Sequence, residues 1–449
     1  MDMYSLAPRE LNRKLINLAM PIMLASLSQT LMSLIDIAMV GRLGASAVAA
    51  VGLGGMLTYT VIAFLNAIQA GVQTVVARRV GEGRHRDAVE AVRISLYFAL
   101  LVGSLLAGVF IWMTRHLLPI INADQDVVYL STAYIGWRGL SLGIVMAGYV
   151  FYAFYNGISQ PRVHLIVSVA ANTLNVILNY GLIFGRLGLP AMGAPGAGLA
   201  TTLSSTVALF LYALFTLTGP IRSQYPGLWA APGQLPLLGR ILKLALPVSV
   251  QNFGVMVGFT SFMVLMGWVS TVALAATEIV FNILSFSFMP AMGFLYATQT
   301  LVSENIGRER TQLAEAFAQA AARLSLMFMG TMGILFMAIP RLILLVFTPD
   351  QAIVATAVMP LRVLGIAQFF DAVGMVYHGA LRGAGDNTFP AAAELTLMWL
   401  LFLPATYITA IRFDWGIIGG WIALAIYIAG YAVVAYLRFK KGPWKKVIV

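Results

Sequence analysis

The chain has no cysteine. That excludes a disulfide framework, thiolate chemistry and any cysteine-held metal centre. Charge is almost as scarce. Only 10% of the 449 residues are charged, against 60% apolar, where soluble chains carry about 25% charged residues. So few charges cannot cover that much apolar surface, which excludes the soluble, disordered and secreted disulfide-rich classes. Acids are the rarer sign, 17 against 28 bases, for a net charge of +11. H-E-x-x-H, phosphate-loop and dinucleotide motifs are absent, so neither ATP-driven transport nor a bound cofactor is expected.

What is abundant is long apolar sequence, with a mean hydropathy of +0.87. A membrane-spanning helix takes about 20 apolar residues. Runs between charged or Gly/Pro-rich breaks predict twelve, at 15–40, 48–76, 91–114, 127–157, 163–185, 194–218, 239–267, 272–302, 317–346, 351–381, 388–411 and 416–437. This is an all-α polytopic membrane protein with little chain left for a soluble domain. The longest connection is the Pro- and Gly-rich stretch 219–238. The first apolar run is too long for a cleavable signal and contains Asp36. With the N-terminus inside, the outer segments hold only Arg42, Arg115, Arg186, Arg341 and Arg412; almost all other bases fall inside. That bias places both termini in the cytoplasm. The basic charge is then a topology signal, and no nucleic-acid partner is expected.

The halves repeat in one register. Leu18-Ala19-x-Pro21 recurs as Leu244-Ala245-x-Pro247, an offset of 226 residues. At the same offset Gln73-Thr74 meets Gln299-Thr300, Asp124-Gln125 meets Asp350-Gln351, and Gly157 meets Gly383. Each half has six spans, so the two share an orientation, as in transporters built from parallel repeats. The expected organisation is two pseudo-symmetric six-helix bundles: an N-lobe at 1–218, a cytoplasmic linker at 219–238 and a C-lobe at 239–449. A substrate path between the halves and alternating access follow from that architecture.

Ionisable residues at mid-membrane cost about 2.5–3.5 kcal/mol each on insertion scales and mark functional sites by default. Asp36, Glu278 and Asp371 lie well inside spans, and Glu394 lies nearer the inner end of its helix. Asn172, Asn175 and Asn179 share one face of the fifth span, and Thr201 and Thr202 open the sixth. A carboxylate with amide and hydroxyl oxygens is hard ligation, suited to a proton or a small alkali cation such as Na⁺ and unsuited to a transition metal. The competing use of the asparagines is hydrogen-bonded glue between helices. Asp371 and His378, seven residues apart, share a face of the tenth span, and the repeat partner of Asp371 is Val145. Glu278 is placed in the outer third of its helix, at a solvated edge or in a coupling role. Arg138 and Arg362 are expected to snorkel outward or to pair with Asp126 or Asp350. The 22 Met, 25 Phe, 17 Tyr and 8 Trp suit amphipathic or cationic guests and equally fill ordinary membrane helices.

Together, several of these motifs resemble the multidrug and toxic compound extrusion (MATE) family. They are Leu-Ala-x-Pro21, the Asp36 helix ending in Val40-Gly41, Val80-Gly81-Glu-Gly-Arg84-His-Arg-Asp-Ala88, Leu174-Asn175-Val-Ile-Leu-Asn179-Tyr180, Gly196-Ala-Gly-Leu-Ala-Thr201 and Leu381-Arg382-Gly383-Ala-Gly385-Asp386. The resemblance covers nearly the whole chain. It implies a bacterial inner-membrane exporter, NorM-like or DinF-like, that exchanges organic cations or amphipathic drugs for H⁺ or Na⁺. By this resemblance Asp36, Asn175, Asn179 and Thr201 match an N-lobe cation site and Asp371 a C-lobe acid. Ion coupling is assigned to these residues and Glu278, substrate binding to Asp36, Asp371 and His378, and hinges to Pro21 and Pro247. A monomer is expected. Two departures stand out: the seventh span carries no acid, and Asn179 stands where some members have Asp. The other reading in the same class is a lipid-linked saccharide flippase. The remote one is a membrane-embedded hydrolase using Ser141 in Gly139-Leu-Ser141-Leu-Gly143, which fits G-x-S-x-G inside a predicted helix.

Overall fold

The computed structural model describes residues 7–228 and 235–447, so part of the 219–238 connection lies outside the described residues. Among the described residues there is no strand. The spans are α1 (Pro8–Val40), α2 (Ala45–Gly81), α3 (His85–Ile121), α4 (Gln125–Gly139 and Leu142–Gly157), α5 (Pro161–Phe184) and α6 (Ala194–Leu217) in the first half. The second half holds α7 (Leu235–Val269), α8 (Thr271–Gly307), α9 (Thr311–Ala338), α10 (Gln351–Ala384), α11 (Thr388–Arg412) and α12 (Gly416–Lys441). Eleven of these are each long and apolar enough to cross a membrane; the pair forming α4, bent by 44°, is the twelfth.

The repeat extends to backbone conformation. The left-handed positions Gly83, Ser159 and Gly188 recur, at the same 226-residue offset, as Glu309, Gly385 and Asp414. Asp124 caps α4 by accepting from the N–H groups of Asp126 and Val127, and Asp350 caps α10 by accepting from those of Ala352 and Ile353. Such caps satisfy orphan donors at a helix start. These two caps mark where α4 and α10 begin.

Contacts divide the chain into two compact units, Leu24–Ala245 and the remainder, namely the chain up to Met23 with Leu246–Val449. Compared with a division in the 219–238 connection, each unit holds the leading half-helix of the other repeat. Leu11, Leu15, Leu18 and Ala19 of α1 sit in a core with Phe294, Leu301, Phe317 and Val376. Gly71 of α2 lies so close to α7 that an added Cβ would meet the Ile241 carbonyl oxygen at 2.5 Å. Both boundaries fall within a few residues of Pro21 and Pro247, which remove one helical hydrogen bond each. Lipid offers helices little hydrophobic reason to associate, so close packing must do it. Gly254 and Gly258 on one face of α7 receive Leu395 and Met398 of α11. Within α11, Pro404 is flanked by the wide π-turns Leu397–Phe402 and Tyr407–Arg412, the usual accommodation of a missing donor.

Candidate functional site

In the Leu24–Ala245 unit, α1, α5 and α6 bring a polar cluster together. Asn175 and Asn179 are wholly buried, and Asp36 is half-buried. The Asn179 Nδ2 donates to Asp36 Oδ1 at 2.6 Å and to Asn175 Oδ1 at 3.0 Å. The Asn175 amide donates to the hydroxyls of Thr201, at 3.4 Å, and Ser204, at 3.3 Å. Reversed, the same amide places its Nδ2 3.1 Å from Asp36 Oδ1, and its oxygen accepts from the Thr201 N–H. The Asn179 Oδ1 is buried with no partner among the described residues. Arg138 is the base whose charge reaches Asp36.

The structure bears on several sequence expectations in this unit. Thr201 and Thr202 lie two turns inside α6, which begins at Ala194. Thr202 is outside the cluster; it donates to the Trp137 and Gly198 carbonyls. Asn172 donates to Ser28 at 2.9 Å, which is glue between α5 and α1. Arg138 pairs with neither Asp126 nor Asp350. It donates to Ser141 Oγ at 2.7 Å, while that hydroxyl donates to the Arg138 carbonyl. Ser141 is therefore a wholly buried latch at the bend of α4, outside any continuous helix and with both hydroxyl functions in use. The hydrolase reading ends there.

In the other unit, Asp371 and His378 share α10 but no hydrogen bond. Asp371 is half-buried and has no hydrogen-bond partner among the described residues. The Nδ1 of buried His378 is 2.8 Å from the Tyr431 hydroxyl of α12. The acid with a built environment is Glu394. It accepts from the Gln251 Nε2 of α7 and, at 3.2 Å, from the Tyr427 hydroxyl of α12. Arg382 of α10 donates to Gln251 Oε1 at 3.3 Å. Four helices meet on this network. Its near-absence from the sequence reading has a reason: Gln251 is uncharged, so a search for acids in α7 passes over it. The detectable signal was Gly254-x-x-x-Gly258, a close-packing motif one turn beyond Gln251. Glu278 is exposed, with no described hydrogen bond, and Arg362 is exposed as well; the structure brings neither into a cluster.

The MatE family model matches residues 21–181 and again 247–408, beginning at the two repeat prolines. The chain is similar to the multidrug resistance protein NorM of Burkholderia vietnamiensis, with 30% identity over 96% of this chain and 95% of that protein. It is also similar to the multidrug resistance protein PmpM of Pseudomonas aeruginosa, with 27% identity over 96% and 91%. Among solved structures, an outward-facing multidrug resistance MATE transporter shares the fold, at a TM-score of 0.89 and 21% identity over 97% of each chain. The chain belongs to the MatE family, and is a membrane transporter and not an enzyme.

Proposed function

We propose that this chain is a secondary active exporter, exchanging organic cations or amphipathic drugs for H⁺ or Na⁺ across a bacterial inner membrane, with both termini cytoplasmic. The observation that carries the reading is Asp36, a carboxylate inside a span whose hydrogen-bond partner is the buried neutral amide of Asn179, itself bonded to Asn175. The uncharged donor holds the side chain in place; the base whose charge reaches it is Arg138, which is engaged with Ser141. The carboxylate is left to meet a cation from outside, and the unpartnered Asn179 Oδ1 and the Thr201 hydroxyl supply the hard oxygens that a proton or Na⁺ prefers. A cationic cargo and a coupling ion that compete for one carboxylate are linked reciprocally, so binding of either weakens the other.

Exchange across the membrane also needs two states with different affinities. The proposed hinges are Pro21 and Pro247, where each long helix passes from one compact unit to the other. Bending there changes which unit-bound half-helix moves, at the one turn already lacking a hydrogen bond. The resemblance between this fold and an outward-facing relative supports a cycle of alternating access. Asp371 is the second acid proposed to serve cargo.

The test is ethidium transport in proteoliposomes, with Na⁺ and pH gradients imposed separately, for wild type and Asp36→Asn. Transport by the pH gradient alone makes Asp36 a proton carrier, and transport by Na⁺ alone an alkali-cation ligand. Equal export by Asp36→Asn would sink the assignment. No gradient-driven movement of any organic cation would turn the search to lipid-linked saccharides.

A further inference from the structure

We propose that Glu394 is a second, proton-specific site of this protein, built in the unit containing Leu246–Val449 by Gln251, Tyr427 and Arg382. The two carboxylate oxygens are occupied by different donors, Gln251 Nε2 on Oε2 and the Tyr427 hydroxyl on Oε1. The orientation of the Gln251 amide is fixed, because Arg382 can only donate and takes the amide oxygen. Hydrogens therefore point at the carboxylate from both sides. An alkali cation needs the opposite, a shell of oxygens free to coordinate, and a guanidinium one residue away repels it further. A proton meets neither obstacle. It adds to one oxygen, and Tyr427, whose hydroxyl accepts as well as donates, turns from donor to acceptor.

The consequence is mechanical. With Glu394 ionised, the chain Arg382–Gln251–Glu394 ties α10 to α11 through α7 with charge at both ends. Hydrogen bonds to charged groups are worth about 1.5–3 kcal/mol against about 0.5–1.5 for neutral ones, so protonation loosens this tie. The other groups facing the carboxylate are Asp371, Tyr431 and Arg382, by their charges or hydroxyl. His378 is held by Tyr431, and its buried Nε2 has no partner among the described residues. Gln251 and Glu394 correspond in the repeat to Ala25 and Ser168, so the duplication alone does not account for this pair.

The proposal rests on the protein's being a transporter and not on its cargo. It is tested by pH-jump infrared difference spectroscopy of the full chain in phosphatidylethanolamine–phosphatidylglycerol nanodiscs, without any drug. The expected result is a protonated-carboxyl band that disappears in Glu394→Gln, survives in Asp36→Asn and changes frequency in Tyr427→Phe. An unchanged spectrum in Glu394→Gln would overturn the proposal and leave Glu394 a permanently ionised partner of Arg382. Tyr427→Phe keeps the charge balance and serves if Glu394→Gln does not fold: an unmoved band there also overturns it. Failure of ethidium export with the band present would instead strike the exporter reading alone.

Discussion

Asn179→Asp is the most demanding test of the Asp36 cluster. The Asn179 Nδ2 lies 2.6 Å from Asp36 Oδ1, so the substitution sets a second carboxylate where a donor stood. Even relaxed to about 4 Å, two unit charges repel by about 4 kcal/mol at an effective dielectric of about 20. The lost bond to a charged acceptor adds about 1.5–3 kcal/mol. That total rivals the stability of a whole domain, about 5–15 kcal/mol, so the variant stands only by capturing a cation. With Na⁺ at about 100 times its Kd, linkage returns about 2.7 kcal/mol. A proton does the same; the native variant then holds a proton that the unfolded chain releases, and its stability falls as pH rises. The assay is thermal melting in detergent, in choline chloride against NaCl and from acid to alkaline pH. Asn179→Asp should melt below wild type in alkaline choline chloride and recover with Na⁺ or acid. Equal melting in both salts at every pH would show that these side chains do not face each other.

Other expectations are simpler to read. Gly383→Ala should cost about 1–3 kcal/mol by overpacking, since its Cβ would meet the rigid Gln299 carbonyl at 2.3 Å; Gly52→Ala, with nothing within 4 Å, should be neutral or gain up to about 1 kcal/mol of helix propensity, both measured by melting temperature. Pro21→Ala should raise the melting temperature, by restoring a donor to α1, and slow ethidium export, by stiffening the hinge; unchanged export removes Pro21 from the mechanism. Glu278→Gln should export at the wild-type rate, because that side chain is exposed and without a described hydrogen bond, whereas Asp371→Asn should lower export measurably in the same assay.

The spans were legible because the bilayer permits only one solution for a 20-residue apolar run, and the repeat doubled every signal. Asp36, Asn175, Asn179 and Thr201 were legible too, since helical spacing alone puts the asparagines on one face and an intramembrane acid needs partners. Three things were hidden for identifiable reasons. The exchange of leading half-helices depends on tertiary packing of Leu15 and Ile241, which look like any other apolar residues in sequence. The role of Ser141 depends on the bend in α4, where Gly139 and Gly143 read equally well as helix-packing residues. The Gln251–Glu394 pair joins helices 143 positions apart, and no local periodicity carries that information.

The repeat also explains where chemistry should be sought. Backbone features survive duplication: the caps Asp124 and Asp350 and three left-handed turns keep their positions. The charged groups inside the spans do not. The repeat partner of Asp36 is Phe262, wholly buried and packed against Phe281, Phe402 and Trp421. Arg138 corresponds to Leu364, Asn179 to Ala405, and Glu394 to Ser168. A residue kept in both halves answers to the fold they share, whereas a buried ion present in one half has to be held by partners peculiar to that half. One position bridges the two cases: Thr201 corresponds to Tyr427, and each hydroxyl belongs to the polar cluster around its own unit's acid. The duplicated scaffold therefore holds a hydroxyl ready in each unit, and the acid that meets it comes from a different helix, α1 in one and α11 in the other.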